Sequence, residues 1–95
     1  MKTYQGILDA VEQRKYYFAD SNNELIDYLK IFDLIRQEGY TAFIKWDGGR
    51  EYEIYTVMIT DLPEDVDYIR RESSDLAESI RGVISEFIEV IWNIK

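Results

Sequence analysis

Val66, Ile69, Ser73, Leu76, Ile80, Val83, Phe87, Val90 and Ile94 are spaced alternately three and four residues apart. This is a heptad pattern carried to the end of the chain. One unbroken helix over 63–95 would be about 48 Å long, whereas a compact domain of 95 residues has a diameter of roughly 32 Å. Such a helix would overhang unless a second chain covered it. The alternative is a break at Ser73-Ser74-Asp75, where Ser73 interrupts the apolar stripe and serine can cap a new helix. Ile84 and Ile91 occupy flanking positions where a two-stranded coiled coil carries paired charges. A bend or break inside one domain is therefore the expectation. The start is marked by Asp61-Leu62-Pro63-Glu64-Asp65, with an early proline and acids in the first turn.

The residues before this segment read as two helices and a hairpin. Tyr4, Ile7, Leu8 and Val11 recur at helical spacing behind Thr3, predicting a helix over 3–19 whose end, Tyr16-Tyr17-Phe18, is equally compatible with a short strand. Ser21 with Glu24 has capping-box spacing, and a second helix runs from there to about Glu38 and stops at Gly39. Its apolar face, Leu25, Leu29, Phe32 and Ile35, is widened by Ile26, Tyr28, Ile31 and Leu34, so it is packed on more than one side. Residues 40–60 change to period two around Asp47-Gly48-Gly49. A three-residue loop pairing Trp46 with Arg50, with Gly49 left-handed, gathers Tyr40, Ala42, Ile44, Trp46, Tyr52, Ile54 and Met58 on one apolar face. The predicted fold is α+β in a single domain, 1–95: two N-terminal helices, a β-hairpin and a long or broken C-terminal helix. A third short strand near 16–19 is left open, since a lone hairpin is marginal.

The chain has neither cysteine nor histidine. That excludes disulfides, thiolate metal sites and the commonest general base and zinc ligand. No apolar run approaches the ~20 residues of a membrane helix, and the N-terminus lacks the apolar core of a signal peptide. A cytoplasmic, non-enzymatic protein without a cofactor is expected. Nineteen acids against eleven bases give a net charge of −8, which repels nucleic acid and anionic membranes and attracts basic surfaces.

If the C-terminal segment is helical, Asp65, Tyr68, Glu72, Asp75, Ser79, Gly82, Glu86 and Glu89 form a second seam with five acids and no base. Asp61 and Glu64 extend it into the preceding loop. Exposed helices usually mix acids with lysine for ion-pair support; this seam does not. Gly82, which costs about 1 kcal/mol against alanine in a helix, would allow close approach. The competing reading is a solvated face that keeps a small protein soluble. In size, charge and lack of catalytic residues the chain resembles the small acidic inhibitors that phages make against host nucleases, anti-CRISPR proteins among them, and equally the bacterial nuclease immunity proteins. The resemblance involves no motif. It implies a negative surface that imitates a phosphate row inside a basic, nucleic-acid-binding site.

Two other chemistries are weaker. Glu72-x-x-Asp75 and Glu86-x-x-Glu89 resemble the acidic pairs with which all-α nucleotide pyrophosphohydrolases hold magnesium. Here, however, Glu72 and Glu86 would be about 21 Å apart on one helix, so no metal is assigned. Glu51 and Glu53 near Tyr55 have glycosidase-like spacing but fit an exposed strand equally well. Tyr40, Trp46, Phe87 and Trp92 read as core, and Tyr16, Tyr17, Tyr55 and Tyr68 as partly exposed. The expected partner is a basic protein, a nucleic-acid-processing enzyme, held by Asp61, Glu64, Asp65, Tyr68, Glu72, Asp75, Glu86 and Glu89. Self-association through the heptad helix, as a homodimer, is the alternative.

Overall fold

The computed structural model describes residues 1–95. It is α+β, with helices α1 (Tyr4–Gln13) and α2 (Glu24–Gln37), strands β1 (Thr41–Trp46), β2 (Tyr55–Thr60) and β3 (Ile69–Ser73), and helix α3 (Leu76–Val90). The strands form one antiparallel sheet in the order β1-β2-β3.

Thr3 caps α1, its hydroxyl accepting the Gly6 N–H. The helix is shorter than its periodicity predicts, because Lys15 turns left-handed (φ 67°) and ends it. Residues 16–19 are not a strand. Asn23, not Ser21, caps α2 by accepting from Ile26 N–H; Ser21 bonds instead to Asp27. Gly39 follows α2 at φ 99°, a conformation that glycine adopts without a Cβ clash.

The hairpin register differs from the expectation. Trp46 pairs with Tyr55 and Ile44 with Val57, leaving residues 47–54 as an eight-residue turn. Glu53, not Gly49, takes the left-handed conformation (φ 53°). The shift by an odd number exchanges the faces of the second strand. Ala42, Ile44, Val57 and Ile59 point to the helices, while Met58 joins Phe43 on the opposite face. Tyr52 and Trp46, expected in the core, are 73% and 62% exposed.

The larger correction lies in the heptad segment. Residues 69–73 are β3, paired with β2 through Ile59–Ile69, Val57–Arg71 and Tyr55–Ser73. The break at 73–75 is present, and Asp75 caps α3 by accepting the Glu78 N–H. The segment before it is a strand rather than a helix. A spacing of four places Ile69 and Ser73 on one face of a helix and also on one face of a strand. The pattern there does not discriminate between the two, and the open edge of β2 does.

α3 runs back along β3 and β2; α2 packs on α3 and β1, and α1 on α3. Ile80, Val83, Ile84, Phe87 and Ile88 of α3 meet Ile7, Val11, Tyr28, Ile31, Ile35, Val57, Ile59 and Ile69 in one core. Of the heptad's apolar residues on α3, Ile80, Val83 and Phe87 are spent inside the domain, Leu76 is half-buried and Val90 is exposed, so no continuous coiled-coil seam is left. No helix is long and apolar enough to cross a membrane.

Candidate interaction surface

The eight residues expected to form one acidic seam lie in four different settings. Asp61, Glu64, Asp65 and Tyr68 belong to the loop between β2 and β3, Glu72 is on β3, Asp75 is the cap, and only Glu86 and Glu89 are on α3. Glu72 faces away from the helices and is held by Arg70 and by Arg50, the latter at 3.4 Å. Asp75 is spent on α3. Glu86 is paired with Arg71 at 3.0 Å. Ser79 and Gly82, expected to be open to a partner, are buried. Ser79 bonds to the Ser73 hydroxyl at 2.6 Å, and a Cβ on Gly82 would lie 3.1 Å from Arg71 Nε.

Gly82 is therefore the point where α3 closes on the stem of Arg71. A Gly82→Leu substitution is expected to push Arg71 out, break its pair with Glu86 and destabilise the fold by about 1–3 kcal/mol. Urea denaturation measures this; an unchanged midpoint would show the close approach to be slack.

What remains as a surface is the β2–β3 loop. Asp61, Glu64, Asp65 and Asp67 place four carboxylates within seven residues, all exposed and none in an ion pair, although eight of the eleven bases are paired elsewhere. Asp61, left-handed at φ 64°, accepts a hydrogen bond from the Thr41 hydroxyl and ties the loop's root to β1. The Val66 N–H donates to the Pro63 carbonyl at 2.8 Å, forming a turn at the tip. Leu62 and Val66 are half-buried beneath it, and buried Ile69 fixes the other end. Tyr68 stands 52% exposed beside the acids. Because α3 runs back along β3 from its cap, Glu86 and Glu89 lie toward this end of the sheet. Asp67 was missed from sequence because helical periodicity put it on another side; in a loop that periodicity has no meaning.

The remaining carboxylates are structural or dispersed. Glu24 receives Arg81, which also donates to the Tyr28 hydroxyl at 3.2 Å. Glu38 accepts from the Trp92 indole N–H at 3.0 Å and from the Tyr16 hydroxyl. Burial, followed by this bond to Glu38, raises the Tyr16 hydroxyl above its ordinary range. Asp27 is fully buried and accepts from Tyr4 and Ser21. In the sequence Asp27 belongs to the polar stripe of α2, and nothing there distinguishes it from Asp33. Glu51 and Glu53 lie in the 47–54 turn, where with Arg50 and Glu72 they line a shallow cleft; they do not share a strand face. No group of three or more carboxylates is placed to hold a metal ion.

Comparisons with protein-family models, curated proteins and solved structures return no match to this chain.

Proposed function

We propose that the chain is an acidic binding protein that occupies a basic, nucleic-acid-binding site on a partner protein, with the β2–β3 loop as its contact. The observation that carries this reading is the set of four neighbouring carboxylates, at 61, 64, 65 and 67, with no cation of their own. A loop pinned at both ends presents this charge with little ordering cost on binding. Tyr68 adds an aromatic surface of the kind enriched at interface centres. A basic groove built for phosphates supplies the missing cations, and the contact weakens as salt screens it.

The triple variant Glu64→Lys, Asp65→Lys, Asp67→Lys tests this and leaves Asp61 on Thr41. Immobilised wild-type chain is expected to retain a basic nucleic-acid enzyme at low salt, release it at moderate salt, and prevent that enzyme from binding a short duplex. The variant, folded by circular dichroism, is expected to lose at least about 100-fold in affinity, the scale of breaking close charge pairs across an interface. Undiminished binding by the folded variant would sink the reading. Glu72 and Asp75 are poor probes, because removing the Asp75 cap alone costs about 1 kcal/mol.

A further inference from the structure

We infer that the chain forms a two-fold symmetric dimer by pairing β1 with β1 of a second copy, seating Trp46 of each copy in the groove between α2 and β1 of the other. This uses the opposite edge of the sheet and shares with the loop reading only Asp61, which is tied to β1 through Thr41.

The sheet has two edges of different character. β3 carries Arg70, Arg71 and Glu72 among its five residues, the charge that guards an edge against pairing. β1 has six residues, TAFIKW, with no proline and one charge, Lys45, which points away from the helices. None of the six is buried, and even the helix-facing Ala42 and Ile44 are only half covered.

The unused backbone groups can be located. Asp47 N–H donates to the Ile54 carbonyl at 2.8 Å, so 47 and 54 are a hydrogen-bonded pair. Antiparallel ladders alternate, and Lys45, Phe43 and Thr41 are therefore the β1 residues bonded to β2. Ala42, Ile44 and Trp46 direct their N–H and C=O outward, where no side chain or loop of the chain bonds them.

Those three residues also share the helix-facing side. A two-fold axis at Ile44 pairs Ile44 with Ile44 and Ala42 with Trp46, satisfying the outward groups and keeping all helices on one face of a six-stranded sheet. Side chains directly opposite in such a pair are neighbours on the same face. Trp46, 62% exposed in the single chain, then stands over Ala42 of the second copy. Beside Ala42 lies a groove of about 390 Å³ lined by Leu29, Phe32, Tyr40 and Ala42, with Asp33 and Arg36 at its rim. Leu29 is 55% exposed and Leu25 38%, continuing the apolar row along α2.

Charge complementarity favours a second copy over another apolar segment. On the opposite face this register puts Lys45 across from Phe43, diagonal to Thr41, the residue that holds Asp61. Asp61 has no cation in its own chain, and a lysine reaches a diagonal neighbour. In the single chain Lys45 stands 3.6 Å from Asp47, which also has Arg50 at 3.2 Å; in the dimer Lys45 turns to the other copy's Asp61, Asp47 keeps Arg50, and Glu64, Asp65 and Asp67 stay free. A stable interface takes about 800 Å² from each partner. Trp46 brings on the order of 150 Å², and the remainder has to come from a strand edge about 20 Å long and the α2 row, so the dimer is of modest strength.

Sedimentation equilibrium on the full chain is the test, with mass expected to rise from 11.3 kDa toward twice that at concentrations on the order of micromolar to tens of micromolar. Salt screens the repulsion between two copies of net charge −8, so it is expected to preserve this dimer while it releases a basic partner from the loop. Ala42→Pro removes an N–H that β2 does not use; it is expected to keep the fold and to stay monomeric. The chain has no cysteine, so register can be read by cross-linking. Ile44→Cys is expected to oxidise to a disulfide-linked pair, its Cα atoms about 5.5 Å apart across the axis, and Lys45→Cys is expected not to. A single-chain mass up to roughly millimolar concentration overturns the inference, also where an extended peptide captures the edge. Cross-linking at 45 rather than 44, or a dimer that survives in folded Ala42→Pro, overturns it as well.

Discussion

Replacing Asp27 with alanine is expected to lower the free energy of unfolding by about 3 kcal/mol, a large part of the 5–15 kcal/mol of an ordinary domain. Asp27 is fully buried. Its carboxylate accepts from the Tyr4 hydroxyl, the Ser21 N–H at 3.1 Å and the Ser21 hydroxyl at 2.8 Å. It therefore ties the first turn of α1 and the α1–α2 connection to α2. Hydrogen bonds to a charged group contribute about 1.5–3 kcal/mol each, and donors stranded by their loss add a desolvation cost. The full sum is not expected, because Tyr4 keeps a second acceptor in Asp20 at 3.1 Å and Ser21 is exposed enough for water to reach it.

The same site sets a pH dependence. Burial pushes the Asp27 carboxyl up, but the donors from Tyr4 and Ser21 outweigh it and hold the group below the ordinary carboxylate range. A depressed folded pKa means that the stabilisation is complete above the unfolded value of about 3.9 and is lost as pH falls through the folded one. Asp27→Asn keeps the volume and lacks this titration. Its deficit against wild type is expected to narrow on acidification from pH 7 to pH 2 in urea titrations. A gap that stays constant with pH would show the carboxylate's charge to be irrelevant.

Phe87→Ala is expected to be costlier still, about 3–5 kcal/mol, enough to leave a domain of modest stability partly unfolded at room temperature. Phe87 is fully buried on α3, with its ring edge-on to Tyr40 and to Trp92, each centroid 5.5 Å away. It joins the end of α2, the start of β1 and the C-terminal turn. Phe87→Leu keeps most of the volume and is expected to cost less than about 1.5 kcal/mol. Trp92, 6% exposed, reports this region by blue-shifted emission, distinct from Trp46 at 62%. A loss below 1 kcal/mol for alanine, with Trp92 emission unmoved, would mean that the pocket refills and that Phe87 is not central.

Local signals were strong where a short stretch decides its own conformation. Thr3 as a cap, Gly39 after α2, the turn at Asp47 and the new helix at Asp75 are all present. These features depend on one side chain bonding a backbone group a few residues away, or on one φ angle. The hairpin register was not legible, since Tyr55, Val57, Met58 and Ile59 offer apolar side chains to both faces. Nor was Asp27, which differs from its exposed neighbours only by what α1 brings above it.

The candidate site was half legible. Asp61, Glu64, Asp65 and Tyr68 remain together because they are close in sequence, and they would be neighbours in almost any fold. Glu72, Asp75 and Glu86 leave the site because their charges are taken by Arg70 and Arg50, by the α3 N-terminus and by Arg71.

The amino-acid sequence by itself determined the α+β class, the two N-terminal helices, a strand pair followed by a C-terminal helix, and an acidic surface without histidine or cysteine chemistry. These follow from composition and short-range periodicity. Only the tertiary structure decided that Ile69–Ser73 is a strand. Four-residue spacing satisfies both periods, and the choice was made by the unpaired edge of β2 together with α3 covering Ile69 and the stem of Arg71. That one choice dispersed the acidic seam and left the four unpaired carboxylates concentrated in a loop.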